Sequence, residues 1–170
     1  SVTSRTASPA SMPMPAVMES IDRFKAAGIH EIVLTGIHIG QYGLDLKPAS
    51  SLTDLMAAIE SAGLMERIRI SSIEPAEVSD ELIDRISGSS VFCRHFHIPL
   101  QSGDNAVLKR MNRPYSREFF HDRICRIHER IPDAAIGADV LVGFPGESDA
   151  AFDRTLSLIA ALPITYLHVF

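Results

Sequence analysis

The chain has 170 residues, a formal net charge of −5, two cysteines and no tryptophan. Apolar residues make up 46% and charged residues 22%, which is typical of a globular domain and argues against a collagen, a coiled coil or a wholly disordered chain. No apolar run approaches the roughly 20 residues of a membrane-spanning helix, and two cysteines cannot build a disulfide-rich secreted scaffold. We therefore expect a cytoplasmic domain without membrane contact, and the mild acidity carries no electrostatic signature of nucleic-acid binding.

The N-terminal segment differs from the rest in composition. Residues 1–15 are dominated by Ser, Thr, Ala and Pro, and three prolines disfavour regular structure there. No apolar core precedes a small-residue cleavage site, so we find no signal peptide. We interpret residues 1–14 as a flexible lead-in and residues 15–170 as the folded part.

From residue 15 onward, apolar spacings of helical period alternate with short apolar runs. In chain order they predict a helix over 15–28, a strand over 31–36, a helix over 52–59, a strand over 68–73, a helix over 82–86, a strand over 96–100, helices over 107–111 and 119–131, a strand over 138–143, a helix over 152–159 and a strand over 166–170. This alternation predicts a parallel sheet of α/β class. Periodicity alone leaves open whether it is a doubly wound sheet or a (β/α) barrel. Because the chain ends on an apolar strand, we expect it to be truncated there.

Ligands of both architectures gather at the carboxyl ends of the strands. Polar or glycine-rich residues follow the predicted strands or lie on the loops beyond them: Thr35, Gly36, Glu74, Gln101, Ser102, Arg113, Gly143, Phe144 and Pro145. A carboxylate there can accept hydrogen bonds from a ribose diol, an arginine can pair with a ligand carboxylate, and a glycine turn can present backbone N–H groups. Each also has a plainer interpretation as a loop acid, a surface arginine or a turn, but together they favour a nucleotide-like ligand.

Neither the histidines nor the cysteines predict a metal site. His95 and His97 alternate on one strand and so face the same side, but no third ligand stands at regular spacing. We interpret them as core or rim residues. Cys93 and Cys125 show no C-x-x-C pattern, and we interpret both as small buried residues. Asp104 is expected to cap the helix that follows it.

Five ordered strings resemble the radical S-adenosylmethionine (SAM) methylthiotransferases. They are EIVLTGIHIGQYG at 31–43, RISSIEP at 69–75, HIPLQSG at 97–103, MNRPY at 111–115 and DVLVGFPGE at 139–147. The resemblance runs from about residue 15 to residue 170. The string LTGIHIGQYG at 34–43 is similar to the branch that acts on N6-threonylcarbamoyladenosine in tRNA. The branches acting on isopentenyladenosine or on ribosomal protein S12 usually differ there and remain alternatives.

The resemblance implies a partial (β/α) barrel with SAM across the strand ends and a 4Fe-4S cluster that reduces SAM to a 5′-deoxyadenosyl radical. By similarity, Glu74 would bind the ribose and Arg113 the methionine carboxylate. Gln101, Ser102 and Asp139 would be further contacts. Thr35 and Gly36 would meet the methionine amino group, and the turn Gly143, Phe144 and Pro145 the adenine.

The departures from the family pattern limit what this chain does alone. It has no C-x-x-x-C-x-x-C motif, so it cannot bind the cluster in the family's way, and we assign it neither metal ligands nor catalytic residues. We expect an inactive core fragment of an enzyme whose partner is tRNA, associating with itself through exposed barrel edges. The alternatives are a non-redox (β/α) enzyme that binds a phosphorylated metabolite and a binding module for RNA or another chain.

Overall fold

The structure, a computed structural model, describes residues 10–170. Its helices are α1 (Met14–Ala26), α2 (Leu52–Ala62), α3 (Asp80–Gly88), α4 (Asn105–Arg110), α5 (Arg117–Arg130) and α6 (Asp149–Ala161). Its strands are β1 (Glu31–Leu34), β2 (Arg67–Ile70), β3 (His95–His97), β4 (Ala135–Val140) and β5 (Tyr166–Val169). Within 10–170 no helix has the length and apolar character needed to cross a membrane.

The five strands are parallel and follow one another in chain order. β1 pairs with β2, and β3, β4 and β5 pair in that order. The two groups are joined by a parallel bridge between Ile68 and Phe92 and by the amide of Ile73, which donates to the carbonyl of His97 at 2.9 Å. A doubly wound sheet reverses its strand order, whereas this one does not. The predicted partial (β/α) barrel is therefore confirmed.

Polar side chains define where most helices begin. Ser51, Ser79, Ser116 and Ser148 each accept a hydrogen bond from the backbone amide three residues later, and Asp104 does the same for α4, as predicted. Such a cap contributes about 1 kcal/mol to a helix, because it satisfies an amide that has no partner within the helix.

The core lies between the outer face of the sheet and the helices. On β2, Ile68 and Ile70 are buried among the helices, whereas Arg67 and Arg69 alternate with them on the more exposed face. Ile83 of α3 and Phe120 of α5 are fully buried in the same cluster. Each such side chain contributes roughly 1.5–3 kcal/mol of burial free energy, which fixes the sheet on which the strand-end loops stand.

The predicted bounds of β4 differ from those in the structure. β4 begins at Ala135 rather than residue 138, because Ile136 is fully buried opposite Phe96, and it ends at Val140 rather than residue 143.

Of the apolar residues that predict α6, Phe152, Leu156 and Ile159, only Ile159 packs against the core. Phe152 and Leu156 are 42% and 56% exposed, and the buried side chains are Ala151, Thr155 and Leu158. The backbone of Gly103 approaches Thr155 so closely that an added Cβ would stand 2.5 Å from its Cα, and a bulky stripe would not fit there.

The predicted lead-in falls partly outside the described residues, which begin at residue 10. Within the described part, the amide of Ser11 donates to Asp45 Oδ2 at 2.9 Å and Ser11 Oγ accepts from the amide of Gly43 at 2.9 Å. The Tyr42 hydroxyl donates to the carbonyl of Met12 at 2.9 Å. These residues therefore pack against the loop that follows β1.

Candidate functional site

Three predicted ligand-binding residues line one cleft at the carboxyl ends of β1 and β2. Thr35, Gly36 and Glu74 border an open cavity of about 410 Å³, together with Ser72 and Pro99. A neighbouring cavity of about 500 Å³ shares Thr35 and Gly36 and continues toward α1. Parallel strands end at the same edge of a sheet, which is why residues distant in sequence meet here.

Glu74 and Arg113 face each other at this cleft. Arg113 Nη1 lies 3.6 Å from Glu74 Oε1, and both side chains are about 30% exposed. Arg113 Nε is buried and has no hydrogen-bond partner within 10–170. The site therefore holds a cationic group with an unsatisfied donor, which suits an anionic ligand atom.

Tyr115 lies close to Arg113 and Glu74. It is buried, and its hydroxyl donates to the carbonyls of Pro99 at 2.9 Å and Leu100 at 3.3 Å. Burial raises the pKa of Tyr115 far above its usual value; the positive charge of Arg113 opposes this shift, and the carboxylates of Glu74 and Asp139 add to it. Tyr115 thus stays neutral and anchors the loop that carries Arg113.

The loop after β3 is held by its backbone. Gln101 has a φ of 66°, in the left-handed region that few residues other than glycine adopt. Its amide donates to the carbonyl of Asp139 at 2.8 Å and its carbonyl accepts from Leu141 at 2.9 Å. Ser102 is fully buried, and its Oγ lies 3.4 Å from Thr155 Oγ1 and accepts from the amide of Asp104 at 3.2 Å. Ser102 was predicted with the ligand contacts, but its observed contacts are internal.

In the turn after β4, the backbone amide of Gly143 bonds to a side chain of the same turn. Gly143 has a φ of 71°, and its amide donates to Glu147 Oε2 at 2.7 Å. The neighbouring carboxylate thus occupies this amide, and the assignment of Gly143 to the adenine stays a prediction. The ring of Phe144 lies 5.4 Å from the Arg110 guanidinium, and Pro145 is exposed beside it.

Asp139 lies inside a cluster that the sequence did not reveal. His97 Nε2 is 2.7 Å and His168 Nδ1 is 3.3 Å from Asp139 Oδ1. The Tyr166 hydroxyl lies 2.8 Å from His95 Nε2 and 3.0 Å from His97 Nδ1, which confirms that the two histidines face one side. Tyr166 and His168 alternate on β5 as His95 and His97 alternate on β3. This matching alternation is the sequence signal that could have indicated the cluster.

Glu77 is a second residue that sequence reasoning missed. Its carboxylate accepts from the amide of Gly40 at 3.2 Å and from Gln41 Nε2 at 2.9 Å, and it lies 3.2 Å from His38 Nδ1. It ties the glycine-containing loop after β1 to the turn after β2. The loop that lines the cleft is thereby held in one conformation.

The two cysteines do not fit an iron–sulfur cluster. Cys93 precedes β3, at the opposite end of the strand from the cleft, and Cys125 lies on α5. Both are only partly buried, and Cys125 packs against the hydrophobic core, so the expectation that both are small buried residues is met in part. Burial raises the pKa of the Cys125 thiol, and Glu129 and Asp122 add to the shift, which disfavours the thiolate that iron requires.

Curated proteins with similar sequences include tRNA-modifying enzymes. The chain is 44% identical over 157 residues to a threonylcarbamoyladenosine tRNA methylthiotransferase of Bacillus subtilis, covering 91% of this chain and 34% of that protein. It is 37% identical over 155 residues to a tRNA-2-methylthio-N(6)-dimethylallyladenosine synthase of Pelotomaculum thermopropionicum, covering 91% and 35%. The chain thus spans about a third of the length of the curated relatives it matches.

Solved structures share the fold of this chain, and a family profile identifies the superfamily to which it belongs. A radical SAM methyltransferase from Kitasatospora setae, with cobalamin and a [4Fe-4S] cluster bound, superposes with a TM-score of 0.71 at 14% identity over 92% of this chain and 30% of that one. Coproporphyrinogen III oxidase of Escherichia coli gives 0.67 at 20% identity over 92% and 36%. The profile of the Radical SAM superfamily matches residues 3–159. With five parallel strands in chain order and a polar cleft at their carboxyl ends, the chain belongs to the radical SAM superfamily.

Proposed function

We propose that this chain is the SAM-binding core of a tRNA methylthiotransferase that adds a methylthio group to threonylcarbamoyladenosine next to the anticodon. The observation that carries the proposal is that Thr35, Gly36 and Glu74 line one cleft and that Arg113 pairs with Glu74. The similarity to the Bacillus subtilis enzyme supports the reaction and the substrate nucleoside.

The hydrogen-bonding groups of these residues match the polar groups of SAM. The Glu74 carboxylate can accept hydrogen bonds from both ribose hydroxyls, and the planar guanidinium of Arg113 can bind the methionine carboxylate through two parallel donors. Thr35 and Gly36 are exposed at the cleft, where the backbone can approach the amino group. When bound, SAM supplies the radical chemistry from which the superfamily takes its name; the roles of these residues are to bind and orient it.

The reducing cluster belongs to another part of the protein in this proposal. Superfamily members use SAM together with a 4Fe-4S cluster, and the cysteines of this chain do not fit one. We therefore expect the isolated chain to be inactive. Anaerobic reconstitution with iron and sulfide should yield no broad visible absorbance, and a stoichiometric cluster on this chain would contradict the proposal.

The proposal also names the substrate nucleoside, for which the relatives offer two candidates. Relatives named as dimethylallyladenosine synthases reach 37% and 38% identity, so that nucleoside is the second candidate. Both are tRNA modifications, and tRNA is the partner that we propose for the whole protein, which would act in the cytoplasm.

A segment exchange tests the proposal directly. Residues 15–170 would replace the matching segment of the Bacillus subtilis relative in a strain that lacks the native gene, and the tRNA nucleosides would be measured by mass spectrometry. We expect methylthiolated threonylcarbamoyladenosine to reappear, and Glu74→Gln or Arg113→Ala in the exchanged segment to abolish it.

The matched control is the native segment cloned through the same junctions, which must restore the modified nucleoside. Methylthiolation of dimethylallyladenosine instead would show that the substrate is wrong and the reaction right. A chimera that accumulates and carries its cluster but produces neither nucleoside would overturn the proposed function.

A further inference from the structure

We propose that His97, Asp139 and His168 form a binding site for one divalent transition-metal ion inside the barrel. The three side chains come from adjacent strands β3, β4 and β5, and one ligand atom of each lies within 4.8 Å of the others. Two imidazoles and one carboxylate are the ligands that zinc, cobalt and iron(II) accept, and three protein ligands leave a position open to the barrel interior.

The distances are close to those of a bound ion. Ligand atoms placed tetrahedrally at about 2.0–2.1 Å from zinc are separated by about 3.3 Å. His168 Nδ1 already lies 3.3 Å from Asp139 Oδ1, whereas the 2.7 Å separation of His97 Nε2 from the same oxygen must lengthen. The ligand atoms of His97 and His168 lie within 4.8 Å of each other. Because His168 is more than half exposed, it can adjust its position without disturbing the core.

The surroundings of His97 are those of a metal ligand. His97 is buried, and its second ring nitrogen, Nδ1, lies 3.0 Å from the Tyr166 hydroxyl. To bind an ion through Nε2, neutral His97 must carry its proton on Nδ1, and this N–H then donates a hydrogen bond to the Tyr166 oxygen. The Tyr166 hydroxyl can then donate to His95 Nε2, 2.8 Å away. Such an outer partner fixes the tautomer and orientation of a metal-bound imidazole.

The Tyr166 ring packs directly against the backbone of Gly137. An added Cβ at Gly137 would overlap this ring, so the glycine lets Tyr166 lie across β4 and reach both histidines. The ring stands 5.7 Å from that of His97 and 5.5 Å from that of His168. The cluster is thus built on paired strands rather than on mobile loops.

The test is a titration of the metal-free chain with Co²⁺, followed by visible absorption and calorimetry, with Zn²⁺ as competitor. We expect one Co²⁺ per chain and displacement by one equivalent of Zn²⁺. Tyr166→Phe should weaken binding about tenfold, as for other second partners of metal-bound histidines. His168→Gln, which removes a ligand, should weaken it further.

His30→Gln is the matched control, because His30 Nδ1 pairs with Glu66 Oε1 at 3.0 Å in an exposed histidine–carboxylate pair. It should leave Co²⁺ affinity unchanged. Circular dichroism of each variant must match the parent chain. Absence of saturable binding, or a site unaffected by His168→Gln, would overturn the inference and leave the cluster as a hydrogen-bonded network. The titration contains no SAM or tRNA, so its failure leaves the proposed function standing.

Discussion

The guanidinium of Arg113 stands 3.6 Å from the carboxylate of Glu74, so two side chains that we assign to different parts of one ligand are paired with each other. Glu74 follows β2, whereas Arg113 lies in the turn between α4 and α5. Tyr115 anchors that turn, because its hydroxyl donates to the carbonyl of Pro99. The pair keeps both charges oriented at the rim of the cleft, where a ligand that carries a carboxylate and a ribose can compete for them.

Loss of the arginine should weaken ligand binding much more than it weakens the fold. Arg113→Ala removes a charge-assisted contact, so we expect SAM affinity in a calorimetric titration to fall by about ten- to a hundredfold. The pair is partly exposed, and the free energy of unfolding should change by less than about 1 kcal/mol. Arg94→Ala breaks the exposed pair with Asp133 and should leave SAM affinity unchanged. Equal affinities of Arg113→Ala and the parent chain would refute this role.

Gly137→Ala should destabilise the chain, because the added methyl group would collide with the Tyr166 ring. Overpacking of this kind costs about 1–3 kcal/mol, which urea unfolding can measure. Gly88→Ala is the control: nothing lies within 4 Å of its added Cβ, and stability should be unchanged or slightly higher. The Gly137 effect should largely disappear in a Tyr166→Ala background, and a full-sized loss there would point to another cause.

Stability should depend on pH through Asp104. Burial alone would raise the pKa of this carboxyl, but the hydrogen bond from the amide of Val107 and the contact of Arg154 Nε at 2.6 Å outweigh it and lower the pKa. The stabilisation is therefore complete above the unfolded pKa of about 3.9 and is lost as the pH falls through the lower folded value.

Asp104→Asn should accordingly cost about 1 kcal/mol near pH 7, and the difference from the parent chain should shrink below about pH 4. Ser116→Ala removes an uncharged cap of α5 and should cost a similar amount at every pH. Urea unfolding across this pH range separates the two behaviours, and a constant Asp104→Asn effect down to pH 2 would contradict the assignment.

The chain should associate with itself through one edge of the sheet. β5 is the last strand of the described residues; Val169 and Phe170 there are 61% and 69% exposed, and Leu156 on α6 is 56% exposed. Light scattering should show a mass that rises with concentration, and Leu156→Glu should reduce it. Ser157→Glu adds the same charge to the same helix and should have a smaller effect. A constant monomer mass at high concentration would contradict this prediction.

Features with local causes were predictable from the sequence. An aspartate before an apolar stripe marked the beginning of α4, and short apolar runs marked β1 and β2. The strand-end positions of Thr35, Gly36 and Glu74 followed from the same alternation, because each residue lies shortly after the end of its strand. These signals act within a few residues, so neighbouring side chains suffice to show them.

Features that depend on how the strands align were not predictable. The buried face of α6 depends on the close approach of Gly103, and the bounds of β4 depend on the burial of Ile136 opposite Phe96. The meeting of His97 and His168 across Asp139 needs three strands in one register. Local alternation places the side chains of each strand on one face, but only the register decides which of them meet.

The sequence by itself determined the α/β alternation, the parallel sheet and the set of polar residues at its carboxyl edge, because hydrophobic period and helix caps are properties of short segments. Only the tertiary structure decided that the strands follow one another as in a barrel. It also decided that Arg113 pairs with Glu74, that Ser102 turns inward and that a histidine–aspartate cluster fills the interior. The physical reason is that hydrogen bonding between strands sets the register, and register decides which distant side chains share one side of the sheet.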